Sequence, residues 1–201
     1  MGKNFRLLNK KKEIINDYNS SAEFYDKRYR AIQEEKYHII LENYDLIEKR
    51  ILDIGCGTGL LFEYILNSKE NHNLQKSKFI AIDISWKMLL KFKKKLLKLK
   101  NKPNVLFVLS DIENLPFRNN SFNLIFSLTS FQNLPSILDG IRESLRVSTN
   151  DSTFKFSILR KKLNLDQVKT LLEPFVKDLK VINRDYIEDV IIQGIVRKES
   201  T

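Results

Sequence analysis

The chain is poor in the residues that build stapled, metal-held or fibrous proteins. Its one cysteine among 201 residues, Cys56, can neither close a disulfide within the chain nor supply a thiolate metal set, so the expected compartment is reducing and cytoplasmic. The two histidines, His38 and His72, are isolated in a helical stretch and a polar loop, and no metal site is expected. Six glycines and four prolines exclude collagen-like and low-complexity chains. No apolar run reaches the 18 residues that a membrane-spanning helix needs. The opening MGKNFRLLNKKK lacks an apolar signal core, and Arg6 stands where a myristoylation signal needs Ser or Thr. What remains is a soluble single domain, and 42% hydrophobic residues are enough to bury a core.

Charge is abundant and uneven. The net charge is +10, and residues 51–102 hold eleven cations against four anions. Most of the excess lies in Lys87, Lys91, Lys93, Lys94, Lys95, Lys98, Lys100 and Lys102. Such a segment reads either as a solvated helix face or as a surface for polyanions such as RNA. The lysines outnumber the arginines 25 to 10, and arginine is the better reader of bases and phosphates.

Hydrophobic periodicity divides the chain. Residues 1–12 read as basic and aperiodic, frayed at the very start, within a basic extension over 1–16, and 17–201 read as one domain. Tyr18, Ala22, Tyr25, Tyr29, Ile32, Tyr37, Ile40 and Tyr44 recur at helical spacing, which predicts one or two helices. Short apolar strands follow at RILDI, KFIAID, NVLFVLSD, SFNLIFSLTS and STFKFSIL. They alternate with helices near Leu60–Leu66, Ser85–Lys100, Ser136–Val147 and Leu163–Phe175. Two last strands, Leu179–Asn183 and Asp189–Val196, have no helical pattern between them, which predicts an antiparallel addition. The fold class is α/β: a doubly wound, mostly parallel sheet of seven strands with helices on both faces.

Ligands of open α/β sheets sit beyond the carboxyl ends of the strands. The first strand ends in Asp53-Ile54-Gly55-Cys56-Gly57-Thr58-Gly59, a turn where main-chain N–H groups can meet a ligand. Its third glycine falls one residue short of a dinucleotide fingerprint, where Leu60 stands, and no Gly-Lys-Ser/Thr follows as in a P-loop. The second strand ends in Asp83, a carboxylate able to accept from both hydroxyls of a ribose. The third ends in Ser110-Asp111-Ile112, where a carboxylate can accept from an exocyclic amine. A single strand-end aspartate is most often a helix cap; three successive strand ends of this kind make a site.

DIGCGTG, AIDISWKML and LSDIENLPFRNNSFNLIFS together resemble the class I S-adenosylmethionine-dependent methyltransferases. Tyr18-Asn19-Ser20-Ser21-Ala22-Glu23-Phe24-Tyr25-Asp26 is similar to the N-terminal helix of their small branch. The resemblance covers roughly residues 17–160 and implies a Rossmann-like fold with S-adenosylmethionine as cofactor. It puts Asp53, Gly55, Cys56, Gly57 and Gly59 around the methionine part, with Cys56 as turn packing rather than a nucleophile. Asp83 would hold the ribose, Ile84 and Met88 the adenine face, and Asp111 with Ile112 the adenine edge. Ser127 would lie near the sulfonium, and Tyr18 and Tyr25 would close over it, where an aromatic face suits a cation.

The acceptor side carries fewer signals. Phe131, Gln132 and Asn133 are the candidates, Phe131 for stacking and the two amides for hydrogen bonds, with core packing and a helix cap as their plain alternatives. The Asn/Asp-Pro-Pro-aromatic run of base-amine and glutamine methyltransferases is missing. The family likeness and the lysine-rich segment 87–102 point to a tRNA or rRNA nucleoside as acceptor. A small metabolite or quinone is the alternative, and a cofactor-binding scaffold without catalysis a second one. Several of the RNA enzymes pair with a small zinc-binding activator along an edge strand, here 105–109, unless helices cover its apolar faces on both sides.

Overall fold

The computed structural model describes residues 2–42, 44–68, 74–100 and 103–198. His72 and Lys102 lie outside the described residues. Two helices lead, α1 (Gly2–Ser21) and α2 (Tyr25–Leu41), followed by β1 (Arg50–Ile54), α3 (Leu60–Asn67), β2 (Lys78–Asp83), α4 (Trp86–Leu97) and β3 (Val105–Leu109). The second half runs β4 (Phe122–Leu128), α5 (Ile137–Val147), β5 (Ser148–Leu159), α6 (Leu165–Leu172), β6 (Val176–Asn183) and β7 (Asp189–Val196). All seven strands form one sheet, ordered β3-β2-β1-β4-β5-β7-β6, with β7 antiparallel to both of its neighbours.

Side chains alternate across this sheet with the strand period of two. Ile51, Phe79, Ala81, Leu124 and Phe126 face the core under α2, α3 and α4. Leu52, Ile54, Ile80, Ile82 and Ile125 face the opposite core, with Ile141 and Leu145 of α5 and Val168 and Leu172 of α6. Two-sided burial explains why the parallel strands read as continuous apolar runs. The edge strand β3 departs from this. Leu106 and Leu109 are 57% and 60% exposed, so helices do not cover both of its faces.

Residues 2–16 are helical and continuous with Tyr18, where the sequence reads as basic and aperiodic. Lys11, Ile14 and Tyr18, at i, i+3 and i+7, share one stripe and line one cavity. Only one member of that stripe is aliphatic, which hides the pattern from a hydrophobicity reading. The helix is docked at its end: Asn19 Oδ1 accepts from the Ser85 hydroxyl at 2.7 Å, and Lys91 Nζ donates to the Ala22 carbonyl at 2.7 Å.

The strand order reverses between β1 and β4, which opens a crevice at their carboxyl ends. The turn from β1 into α3 is held by the Ile82 carbonyl, which accepts from both Gly55 N and Cys56 N at 2.9 Å. Gly59 closes that turn at φ +80°, and a Cβ there would lie 2.4 Å from the buried ring of Phe92 on α4. Gly59→Ala therefore combines a left-handed backbone with overpacking. The expected loss is about 1–3 kcal/mol in urea unfolding; a loss under about 0.5 kcal/mol would contradict this packing.

Candidate functional site

The crevice between β1 and β4 collects residues from six segments of the chain. Gly55 and Gly57 come from the first turn, Asp83 and Ile84 from the end of β2, and Asp111 and Ile112 from the end of β3. Leu128, Thr129 and Ser130 follow β4, and Tyr18 and Tyr25 close the opening from α1 and α2. Gly55, at φ +71°, has no room for a side chain, since a Cβ would meet Ser130 Oγ at 2.0 Å. The Ser130 hydroxyl donates to the Gly55 carbonyl at 3.2 Å, which couples the first and fourth strand ends.

Two buried carboxylates dominate the electrostatics. Asp83 accepts from Gly57 N at 2.9 Å and from Ser85 N at 2.8 Å, and burial still lifts its pKa to about 6. Asp53 is 3% exposed, and its Oδ2 has no partner. Burial, with the charge of Asp83 added, raises its pKa to about 8. An orphaned carboxylate oxygen at a buried strand end fits a cationic ligand group. Burial raises the Cys56 thiol well above its usual pKa, which leaves it an inert packing group beside Asp53.

The lid is built from phenols and one lysine. Tyr18 and Tyr25 lie 6.3 Å apart between ring centres, and Tyr25 and Tyr29 4.7 Å. Burial raises Tyr18 to about 12, so its hydroxyl is neutral, and it accepts from Asn133 Nδ2 at 2.6 Å. Lys11 Nζ bridges Asp111 and Glu113, each at 2.5 Å, and so occupies the carboxylate expected to read an adenine edge. With α1 so placed the crevice has about 60 Å³ of free volume, far below the few hundred Å³ typical of a ligand pocket. Behind the lid, Lys95 of α4 pairs with Asp26 at 2.6 Å and with Glu63 at 2.8 Å, tying α2 and α3 together. Asp26 also receives a short hydrogen bond from the Thr58 hydroxyl in the glycine turn.

Beyond Tyr18 and Thr129 lies a second cavity of about 630 Å³, roofed by α1 and α2 and floored by the ends of β4, β5 and β7. Its floor carries a buried ion pair between Lys36 Nζ and Asp189 Oδ2, 3.1 Å apart, with both residues 1% exposed. Burial lowers the Lys36 pKa, against the opposing charge of Asp189. Thr129, a β-branched residue at φ +57°, bridges the two cavities and takes part in that pair.

Several expected site residues lie elsewhere. Met88 and Ser127 are fully buried and absent from the crevice wall; Met88 belongs to the inner face of α4, and the chain reaches the crevice one to three residues after Ser127. Phe131 packs edge-on against Phe156 at 4.9 Å in the core and offers no stacking face. Gly59 serves the turn and its packing on Phe92. Asn133 and Gln132 do line the second cavity, and Ser136 rather than Asn133 caps α5. Of the lysine-rich segment, Lys91 and Lys95 point inward, and Lys87, Lys93, Lys94, Lys98 and Lys100 remain exposed. Lys11, Gln33, Lys36, Thr129 and Asp189 were not expected. Only the helical spacing of Gln33 and Lys36 could have hinted that they share a face.

Residues 51–151 match the family model described as methyltransferase domain. The chain is 34% identical over 61% of its length to a malonyl-(acyl-carrier protein) O-methyltransferase of Ilyobacter polytropus, and covers 44% of that protein. It spans about half the length of the first curated relatives it matches. Among solved structures, magnesium protoporphyrin IX methyltransferase from Synechocystis with bound S-adenosylmethionine is 15% identical at a TM-score of 0.73, with 94% of this chain and 97% of that one covered. A chain from the complex of the Haloferax volcanii Trm112 methyltransferase activator with its partner is 12% identical at 0.64, covering 90% and 98%.

Two outcomes follow. Burial holds protons on Asp53 and Asp83 that the unfolded chain would release near pH 4, so the ligand-free protein loses stability as pH rises from about 4, through about 6 for Asp83 and on to about 8 for Asp53. A cationic ligand favours the ionised pair, so affinity for S-adenosylmethionine measured by calorimetry should rise between pH 5.5 and 7.5, by about tenfold for each pKa unit shifted. A flat profile would contradict this. Lys11→Ala removes a partly exposed competitor for Asp111 and should tighten binding by about two- to fivefold.

Proposed function

The chain belongs to the class I S-adenosylmethionine-dependent methyltransferases, and from that premise we propose that it methylates a small molecule held in the cavity behind Tyr18 and Thr129. The second cavity carries this reading, because its volume of about 630 Å³ suits a compact acceptor and it adjoins the cofactor crevice. S-adenosylmethionine, when bound, supplies a methyl group on a positively charged sulfur.

The chain's own contribution is positioning and exclusion of water. Asp83 accepts hydrogen bonds at the ribose position, with its geometry fixed by Gly57 N and Ser85 N. Asp53 offers its orphaned oxygen to the cationic methionine end. Asp111, once released by Lys11, accepts from the adenine edge beside Ile112. Tyr18 and Tyr25 turn neutral aromatic faces toward the sulfonium position and shut out water. No general base is required when the acceptor is already a competent nucleophile.

An RNA acceptor draws less support. The exposed lysines of α4 begin near the crevice and run away from it, about 18 Å along a twelve-residue helix. Two of the eight lysines that suggested RNA are used within the protein. The edge of β3 supports the expected activator: its outer backbone groups are unpaired within the sheet, and Leu106 and Leu109 are exposed beside it. A small zinc-binding activator adding a strand there fits both features.

The test is transfer of radiolabelled methyl from S-adenosylmethionine into separated metabolite, RNA and protein fractions of a cell extract. Label is expected in the metabolite fraction and should fall by at least about tenfold in Asp83→Ala, which loses two charge-assisted hydrogen bonds to the ribose. Label confined to RNA would overturn the small-acceptor reading.

A further inference from the structure

Resting on the small-acceptor reading, we infer that the methylated group is an amine nitrogen, recognised by the amide oxygens of Gln33 and Gln132. Both side chains line the second cavity, and both bracket Thr129. Gln33 is 4% exposed. The Oε1 atoms of both residues are buried and have no hydrogen-bond partner.

The orientation of each amide follows from what its neighbours can give. Lys36 Nζ can only donate, and it donates to Thr129 Oγ1 at 2.6 Å. Asp189 Oδ2 only accepts, so the single proton of the Thr129 hydroxyl goes to it, at 2.8 Å. Gln33 must then present its NH2 to Thr129 Oγ1, at 3.4 Å, and its oxygen is left over. Gln132 faces the Thr129 carbonyl at 2.6 Å, which also only accepts, so its amide nitrogen is fixed there and its oxygen is left over too. Turning either amide over would set oxygen against oxygen.

Two uncommitted acceptors on residues of one wall are destabilising unless a ligand donates to them. A carboxylate brings only acceptors and would meet these oxygens with repulsion. An amine brings N–H groups. The titratable wall is also balanced in sign, with Arg28, Lys36 and Lys161 against Asp17, Glu188 and Asp189, so it offers no net field to hold an acid. Thr129 holds both amides in place through its left-handed backbone, which aims its hydroxyl at the ion pair and its carbonyl at Gln132.

The reaction balances without a further reactant. The nitrogen lone pair forms the new N–C bond, the C–S bond breaks with its electrons staying on sulfur as a neutral thioether, and the methylated ammonium gives one proton to solvent. Gln33 and Gln132 orient the nitrogen by accepting its hydrogens while the lone pair faces the sulfonium.

The experiment uses S-adenosylmethionine labelled with carbon-13 in its methyl group, the full chain, and a deproteinised cell extract, with the product methyl read by its carbon-13 shift. An N-methyl signal is expected. Gln33→Leu and Gln132→Leu should each lower it at least about tenfold, while each variant remains folded by circular dichroism and still binds S-adenosylmethionine, whose crevice neither side chain lines. An O-methyl ester or C-methyl signal would overturn the inference and leave the small-acceptor reading intact. An N-methyl signal unchanged in both variants would overturn the role of the glutamines. No methylated small molecule at all would overturn the small-acceptor reading, and the inference with it.

Discussion

Two carboxylates withdrawn from water, one of them without partners, set the terms for the rest of the site. Asp53 lies one residue before the end of β1 and Asp83 ends the adjacent parallel strand β2, so the sheet itself holds them near one another. Their charge is disfavoured until a cation arrives, and the glycine turn brings main-chain N–H groups to only one of them. Everything around them serves this imbalance. The turn is fixed on the Ile82 carbonyl, Ser130 ties it to β4, and the phenols above supply a face that suits positive charge.

The residues that gather at the crevice were legible because they are local. Asp53, Gly55, Gly57, Asp83, Ile84, Asp111 and Ile112 sit at strand ends, and strand ends can be read from apolar runs and the turns that follow them. The doubly wound sheet and its antiparallel last strand were legible for the same reason. Ser127 lies fully buried one residue before the end of β4, and the chain reaches the crevice only at Leu128 and the left-handed Thr129, a backbone turn no residue pattern announces. Phe131 and Met88 show the ambiguity of apolar residues, which suit a ligand wall and a core equally well.

The acceptor side was hidden because it is assembled over long separations. Lys36 meets Thr129 across 93 residues and Asp189 across 153. No window of sequence links a lysine in an amphipathic helix to an aspartate opening a strand. Their burial is the clue, and burial is a property of the folded chain. Lys11 was missed for a different reason, since a basic stripe on a polar helix resembles any solvated face.

The pair between Lys36 and Asp189 also bears on the order of assembly. Lys36 belongs to α2 and Asp189 to β7, so the pair joins two elements far apart along the chain. The floor of the second cavity therefore rests on a contact that closes a very long loop, the kind whose chain entropy must be met before the contact rewards it.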